Sequence, residues 1–165
     1  MSDQRAFPFV PKTNARLQTG DFWPLPLVDG SFACGRVLQL PPAGLPGSRV
    51  SFLGGLMDWH GGVSPCSTDL AGRGLILQTS MHVMGISRTC GGITGHRPLE
   101  ADGTTPLLCV DGDVVRRGYT AVRSFEPSDR NLPLFSYSGW NLLWREANRH
   151  FLGHALPDDA EPAQL

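Results

Sequence analysis

Between Gly20 and Leu40 the apolar positions fall into two runs, Phe22 to Leu27 and Phe32 to Leu40, separated by Val28-Asp29-Gly30-Ser31. An Asp-Gly step between two such runs predicts a β-hairpin. Two prolines choose its register. A two-residue loop at Asp29-Gly30 would place Pro24 and Pro26 where a backbone N–H must bond the partner strand, and proline has none. A three-residue loop, Val28-Asp29-Gly30 with Gly30 left-handed, turns both prolines outward. In that register Trp23 faces Gly35, Leu25 faces Ala33 and Phe22 faces Arg36. The first strand then lies at a sheet edge at least around its prolines.

Further along, Val50-Ser51-Phe52-Leu53 reads as a third strand interrupted at Gly54-Gly55, a bulge or a close backbone approach. Gly61-Gly62 and Ser64-Pro65 mark a loop. A short helix capped by Ser64 with Pro65 in its first turn is expected to run to Leu70-Ala71 and stop at Gly72. Leu75 to Gln78 is a short apolar run. Val83, Ile86 and Cys90 then fall at i, i+3 and i+7 before Gly91-Gly92, which predicts a helix over roughly 79–90. A strand over 92–99 and a turn at Asp102-Gly103 follow. Pro106 to Val110 and Val114 to Val122, joined by Asp111-Gly112, predict a second hairpin. Trp140, Leu143, Trp144, Ala147 and Phe151 make a helical stripe, with Ser138 as its N-cap and Gly153 as its stop. Trp23, Trp140 and Trp144 are expected in the core.

The reading that results is an α+β fold: a β-rich single domain with a twisted antiparallel sheet or SH3-like partial barrel, a central helix and a C-terminal amphipathic helix. Residues 1–19 form an arm, 20–153 the globular domain, and 154–165 a flexible acidic tail. A chain of 165 residues can bury a core without metals or disulfides. Twenty glycines and 14 prolines fit many turns and short elements. A hydrophobic content of 41% and a net charge of −1 point neither to disorder nor to nucleic acid or a membrane surface. No export signal or membrane span is apparent. A cytoplasmic protein is expected, with Cys34, Cys66, Cys90 and Cys109 reduced and buried.

The sequence offers no phosphate loop, dinucleotide fingerprint, nucleophile elbow or His-Glu-x-x-His motif. His60, Cys66, His82, Cys90 and His96 share one third of the chain, but without the close ligand pairs a zinc site uses. No metal, cofactor or catalytic residue is assigned. Two polar clusters remain. Met57-Asp58-Trp59-His60-Gly61-Gly62 reads as a strand exit that is either a recognition loop, an acid/His pair or an ordinary turn. Gly91 to Glu100, with His82, reads as a tight helix-to-strand connection carrying an Arg97/Glu100 surface pair.

Taken in order, Gly20-Asp21-Phe22-Trp23-x-Leu25-x-Leu27-x-Asp29-Gly30-x-Phe32-Ala33-x-Gly35-Arg36-Val37, Phe52-Leu53-Gly54-Gly55, His82-x-x-x-Ile86 and Gly91-Gly92-Ile93-x-Gly95-x-Arg97-Pro98-Leu99 resemble the immunity protein 26 family of bacterial polymorphic toxin systems. The resemblance covers about residues 18 to 100. It implies a cytoplasmic protein encoded beside a toxin, which it neutralises by binding. Some members carry an organophosphate-hydrolase label, which keeps a small hydrolase acting on phosphoesters as the alternative, beside a structural or interaction subunit. The opening strand and hairpin also look like the start of SH3-like barrels of toxin ribonucleases, by analogy of fold alone. The expected partner is the cognate toxin, with no nucleic acid and no membrane, and homo-oligomerisation left open. Aromatic and arginine side chains dominate such contacts, so Asp58, Trp59, His60 and Arg97 are the candidate partner-binding residues.

Overall fold

A computed structural model describes residues 5–89 and 92–162. The fold is α+β. Five antiparallel strands form the first sheet, in the order β4 (Leu75–His82), β3 (Ser51–Gly61), β2 (Phe32–Gln39), β1 (Asp21–Pro26) and β5 (Gly95–His96). A second antiparallel sheet contains β6 (Leu108–Asp111), β7 (Val114–Arg117) and β8 (Thr120–Ser124). Neither sheet closes into a barrel. Among the described residues the α-helices are α1 (Met84–Ser87) and α2 (Leu142–Leu152).

The first hairpin has the register that its prolines require. Trp23 pairs with Gly35, Leu25 with Ala33 and Phe22 with Arg36. Leu27 donates its N–H to Ser31 at 2.8 Å, and Gly30 has φ +87°, so Val28-Asp29-Gly30 is the loop. On its other side β1 pairs with β5 only at Asp21 and Phe22, and the edge is open to no strand at Pro24 and Pro26. The carbonyl of Pro26 instead accepts a hydrogen bond from Trp144 Nε1 at 2.7 Å, which ties this edge to α2.

Strand alternation sends the first sheet's side chains to two covered faces. On one face Trp23, Leu25, Val37, Phe52 and Leu56 pack with Leu143, Trp144 and Ala147 of α2. On the other, Phe22, Cys34, Met57, Trp59 and Leu70 form one cluster, and Leu38, Leu53, Leu99 and Tyr119 form another. A strap over 133–138 joins the sheets: Val110 of β6 donates to Pro133 and Phe135 donates to Val110, while Ser80 of β4 donates to Ser136 and Ser138 donates to Ser80. Both sheets thereby lose an exposed edge, which lowers their tendency to pair with foreign strands.

Several expected elements differ. The helix foreseen over 79–90 is strand as far as His82, because Thr79, Ser80 and Met81 pair with Gly54, Leu53 and Phe52 of β3. Only the turn Met84–Ser87 is helical, opened by the Met84 N–H donating to His82 Nδ1 and closed by Thr89 Oγ1 donating to the Gly85 carbonyl. Cys90 and Gly91 lie outside the described residues. The segment 57–61, expected to leave the sheet, continues β3. The irregularity at Gly54-Gly55 falls in the partner strand, where the register shifts between Val37 and Gln39 opposite Gly54 and Leu53; an added Cβ would come within 2.6 Å of Met81 Sδ at Gly54 and of Leu75 Cδ2 at Gly55, so neighbouring side chains fill that space. The strand over 92–99 shrinks to Gly95–His96.

The remaining corrections are local. The helix expected from Pro65 is a 3-10 turn at Ser67–Leu70, begun at Cys66, with Asp69 accepting from the Cys66 N–H. The second hairpin gains a third strand, β8, because Gly118 at φ +58° turns the chain again. Ser138 serves the strap, so α2 begins at Leu142 after Asn141; Gly153 at φ +68° ends it as expected. Trp140 is half-buried beneath the Arg88 guanidinium, 5.2 Å from its ring, outside the core proper. Cys66 is exposed, against the expectation of burial, whereas Cys34 and Cys109 are buried.

Segments near both ends of the described chain pack onto the domain. Phe9 and Ile93 exchange backbone hydrogen bonds at 3.0 and 2.8 Å, which docks the N-terminal arm beside β5. At the other end Asn141 Nδ2 donates to the carbonyls of Asp158 and Ala160, drawing 158–160 back over the start of α2.

Candidate functional site

Alternation along β3 divides the three neighbouring candidates. Asp58 and His60 are exposed, while Trp59 is 7% exposed and packs with Phe22, Cys34, Met57 and Leu70 on the opposite face. Trp59 is therefore a core residue and not the exposed anchor expected from a loop. The His60 ring stacks on Phe151 of α2 at 5.2 Å and 16°, and its Nε2 lies 2.7 Å from Ser31 Oγ. Ser31 also bonds Asp29 through its N–H and hydroxyl, and these bonds hold the Asp29 carboxyl below the usual range. His60 thus buttresses the β1–β2 hairpin tip against the end of α2.

Arg97 is engaged at another place. Its guanidinium donates to both Asp102 oxygens, from Nε at 3.0 and 2.8 Å and from Nη2 at 2.7 Å, in place of the expected pairing with Glu100. Asp102 also accepts from Arg36 Nη2 at 3.1 Å and from the Gly72 N–H at 3.1 Å. Arg97 first, then these further partners, hold the Asp102 carboxyl far below the usual carboxylate range. Arg36 is fully buried; its Nη2 also donates to the carbonyls of Arg97 and Pro98 at 2.6 and 3.1 Å. Desolvation lowers the Arg36 pKa, and the neighbouring Asp102 opposes that shift.

On the other side of β5 sits a second buried carboxylate that sequence reading did not single out. Asp21, 0% exposed, accepts two hydrogen bonds from Arg5, both 2.7 Å, and one from the Gln18 N–H at 2.9 Å. Its Oδ1 also lies 2.9 Å from His96 Nδ1. Glycines make this close approach of β5 to β1 possible. A Cβ on Gly95 would strike the Phe22 ring, and one on Gly20, itself at φ +97°, would strike the Arg97 carbonyl. A carboxylate at Nδ1 fixes an imidazole's orientation and leaves Nε2 to hold or take a proton. The only hint in the sequence is the pair of short motifs Gly20-Asp21 and Gly95-His96, and nothing local reveals that they meet.

Around this pair the arm builds a stack of cations and rings. The Arg5 guanidinium lies 5.4 Å from the Phe7 ring and 5.9 Å from Phe9, and Arg16 lies 4.4 Å from Phe9 on top of it. Elsewhere a crevice of about 110 Å³ opens between β4 and the strap, lined by Leu53, Leu77, Cys109 and Phe135 among others. No three His, Cys, Asp or Glu side chains converge to hold a metal among the described residues. No helix among the described residues is long and apolar enough to cross a membrane. No protein-family model matches the chain, and no curated protein or solved structure matches it either.

Proposed function

We propose that this protein is an immunity protein that binds and neutralises a cognate bacterial toxin in the cytoplasm. One observation carries the reading beyond the motif resemblance: the buried carboxylates Asp21 and Asp102 are saturated by structural donors, while large apolar side chains stand out on the surface. Phe7, Val28, Leu134 and Tyr137 are 37%, 48%, 76% and 75% exposed. Interior charges that are tied off rigidify a scaffold, and exposed aromatics on a rigid scaffold supply contact area at little entropic cost. The test is co-expression with the product of the adjacent gene, followed by pull-down of the tagged protein. Relief of toxicity with a stoichiometric complex is expected. Unrelieved toxicity and no complex would overturn the reading.

A second reading, a small phosphoester hydrolase, is favoured by one specific feature, the Asp21–His96 pair with its accessible imidazole. His96 would serve as the general base there. Turnover of an aryl phosphodiester that disappears in His96→Ala would support it, and equal turnover in the variant would remove it.

A further inference from the structure

We infer that the face formed by the N-terminal arm and the adjoining 47–50 turn is where the partner docks, and that it receives an acidic protein surface. This rests on the toxin-binding reading and specifies its interface. Hydrogen bonds assemble the face along one side of the fold. Arg5 Nη1 donates to the Arg16 carbonyl at 2.9 Å. The Asn14 N–H donates to the Arg49 carbonyl at 2.9 Å, and Asn14 Nδ2 donates to the carbonyls of Ser48 and Ser51 at 2.5 and 2.8 Å. Asn14 opens the 3-10 turn Asn14–Arg16, so the backbone of this turn meets that of Arg49, with Lys12 two residues before Asn14; Lys12, Arg16 and Arg49 are all exposed.

The exposed cations of this face pair with no described carboxylate. Between residues 5 and 99 the only acids are Asp21, Asp29, Asp58 and Asp69, against twice as many lysines and arginines. Asp21 is buried and occupied by Arg5. Asp29 sits at the hairpin tip, and Asp69 in the Ser67–Leu70 turn. No salt bridge joins Lys12, Arg16 or Arg49 to a carboxylate among the described residues. Exposed cations that form no ion pair of their own are free to meet an anionic partner surface.

The face also supplies apolar contact. Val10 is 55% exposed and Phe7 37%, and Phe9 beneath them is held between Arg5 and Arg16. A pair of exposed apolar side chains among fixed guanidinium groups has the composition of an interface centre, where arginine and aromatic residues concentrate. This favours a protein over a nucleic acid.

The test measures binding of the adjacent gene's product to the immobilised full-length protein at about 50 mM and about 300 mM salt, concentrations at which surface charges are weakly and strongly screened. In Lys12→Glu/Arg16→Glu/Arg49→Glu the affinity at low salt is expected to fall at least about tenfold, and its salt dependence to flatten. Arg130→Glu, an exposed cation beside the second sheet, should bind as wild type. Thermal melts establish that the variants fold, and if the triple Glu variant melts early, Lys12→Gln/Arg16→Gln/Arg49→Gln is read in its place. A folded triple variant that binds like wild type overturns this face and leaves the toxin-binding reading standing. Failure of the wild type to bind overturns both. An RNA oligonucleotide that binds the wild type more tightly than the toxin does, and loses that binding in the triple variant, overturns the choice of an acidic protein.

Discussion

The indole of Trp23 occupies the space a side chain at Gly35 would need. A Cβ built on Gly35 falls less than 3.0 Å from three atoms of the ring, and Trp23 itself is 0% exposed, meeting Phe52 edge-on at 5.7 Å. The ring belongs to the core beneath α2 and cannot yield without displacing that layer. Gly35→Val is therefore expected to destabilise the protein by about 1–3 kcal/mol through overpacking. Chemical denaturation would reveal it, and an unchanged midpoint would mean that the ring has room to move.

The first hairpin was legible because its determinants are local and chemical: two missing N–H groups at Pro24 and Pro26, and one left-handed glycine at position 30. The segment 79–90 was not, since the spacing of Val83 and Ile86 suits a helix while Thr79 to Met81 are claimed by pairing with β3. That competition is settled by a strand some 25 residues away, which no local periodicity contains. The fold class and α2 were readable for the same reason as the hairpin, from strong short-range patterns ending at Gly153. The candidate site was hardly readable at all. Asp21 meets His96 across 75 residues and Arg36 meets Asp102 across 66, so only the fold reveals either pair. Asp58, Trp59 and His60 looked like one cluster, and strand alternation put Trp59 on the other side.

Trp59→Ala tests that separation. With its indole packed against Phe22, Cys34, Met57 and Leu70, the substitution should cost about 3–5 kcal/mol as a cavity opens. His60→Ala removes only a surface stack on Phe151 and a bond to Ser31, so its cost should be a small fraction of that. Urea denaturation of the two variants side by side decides the matter. Equal costs would show that Trp59 contributes little to the core.

Acid should weaken the fold in a defined window. The Asp129 carboxyl, bonded first to Arg123 and then to the Glu126 N–H, is lowered to about 2 in the folded protein, from an ordinary value near 4. A lowered carboxylate stabilises above its unfolded value, so this contribution is whole above about pH 4 and is lost as pH falls towards 2. Asp102, held lower still by Arg97, loses its share over the same descent and beyond. Melting temperatures followed from neutral to strongly acid solution should fall through this window, and Asp129→Asn should flatten the slope. Asp102→Asn should be costly at pH 7 as well, by about 3–5 kcal/mol, because Arg36 is left as a buried cation without its counter-charge. A variant as stable as wild type at neutral pH would show that the backbone carbonyls of Arg97 and Pro98 suffice for Arg36.

Thiol reactivity should report the burial pattern directly. Cys66 is exposed in the turn before Leu70, with Sγ 3.1 Å from Thr68 Oγ1, whereas Cys34 and Cys109 are buried and burial raises the Cys109 pKa. A thiol reacts as its thiolate and only where the reagent can reach it. A disulfide-exchange reagent added to the native protein should therefore label Cys66 fast, and Cys66→Ser should remove one equivalent of fast label. Cys34 and Cys109 should react only as fast as the structure opens, accelerating together when denaturant is added. Full denaturation without reductant should release all four thiols of the chain. A lower titre would reveal a disulfide, and fast native labelling of Cys34 would mean that the cluster around Phe22 and Trp59 opens far more readily than its packing implies.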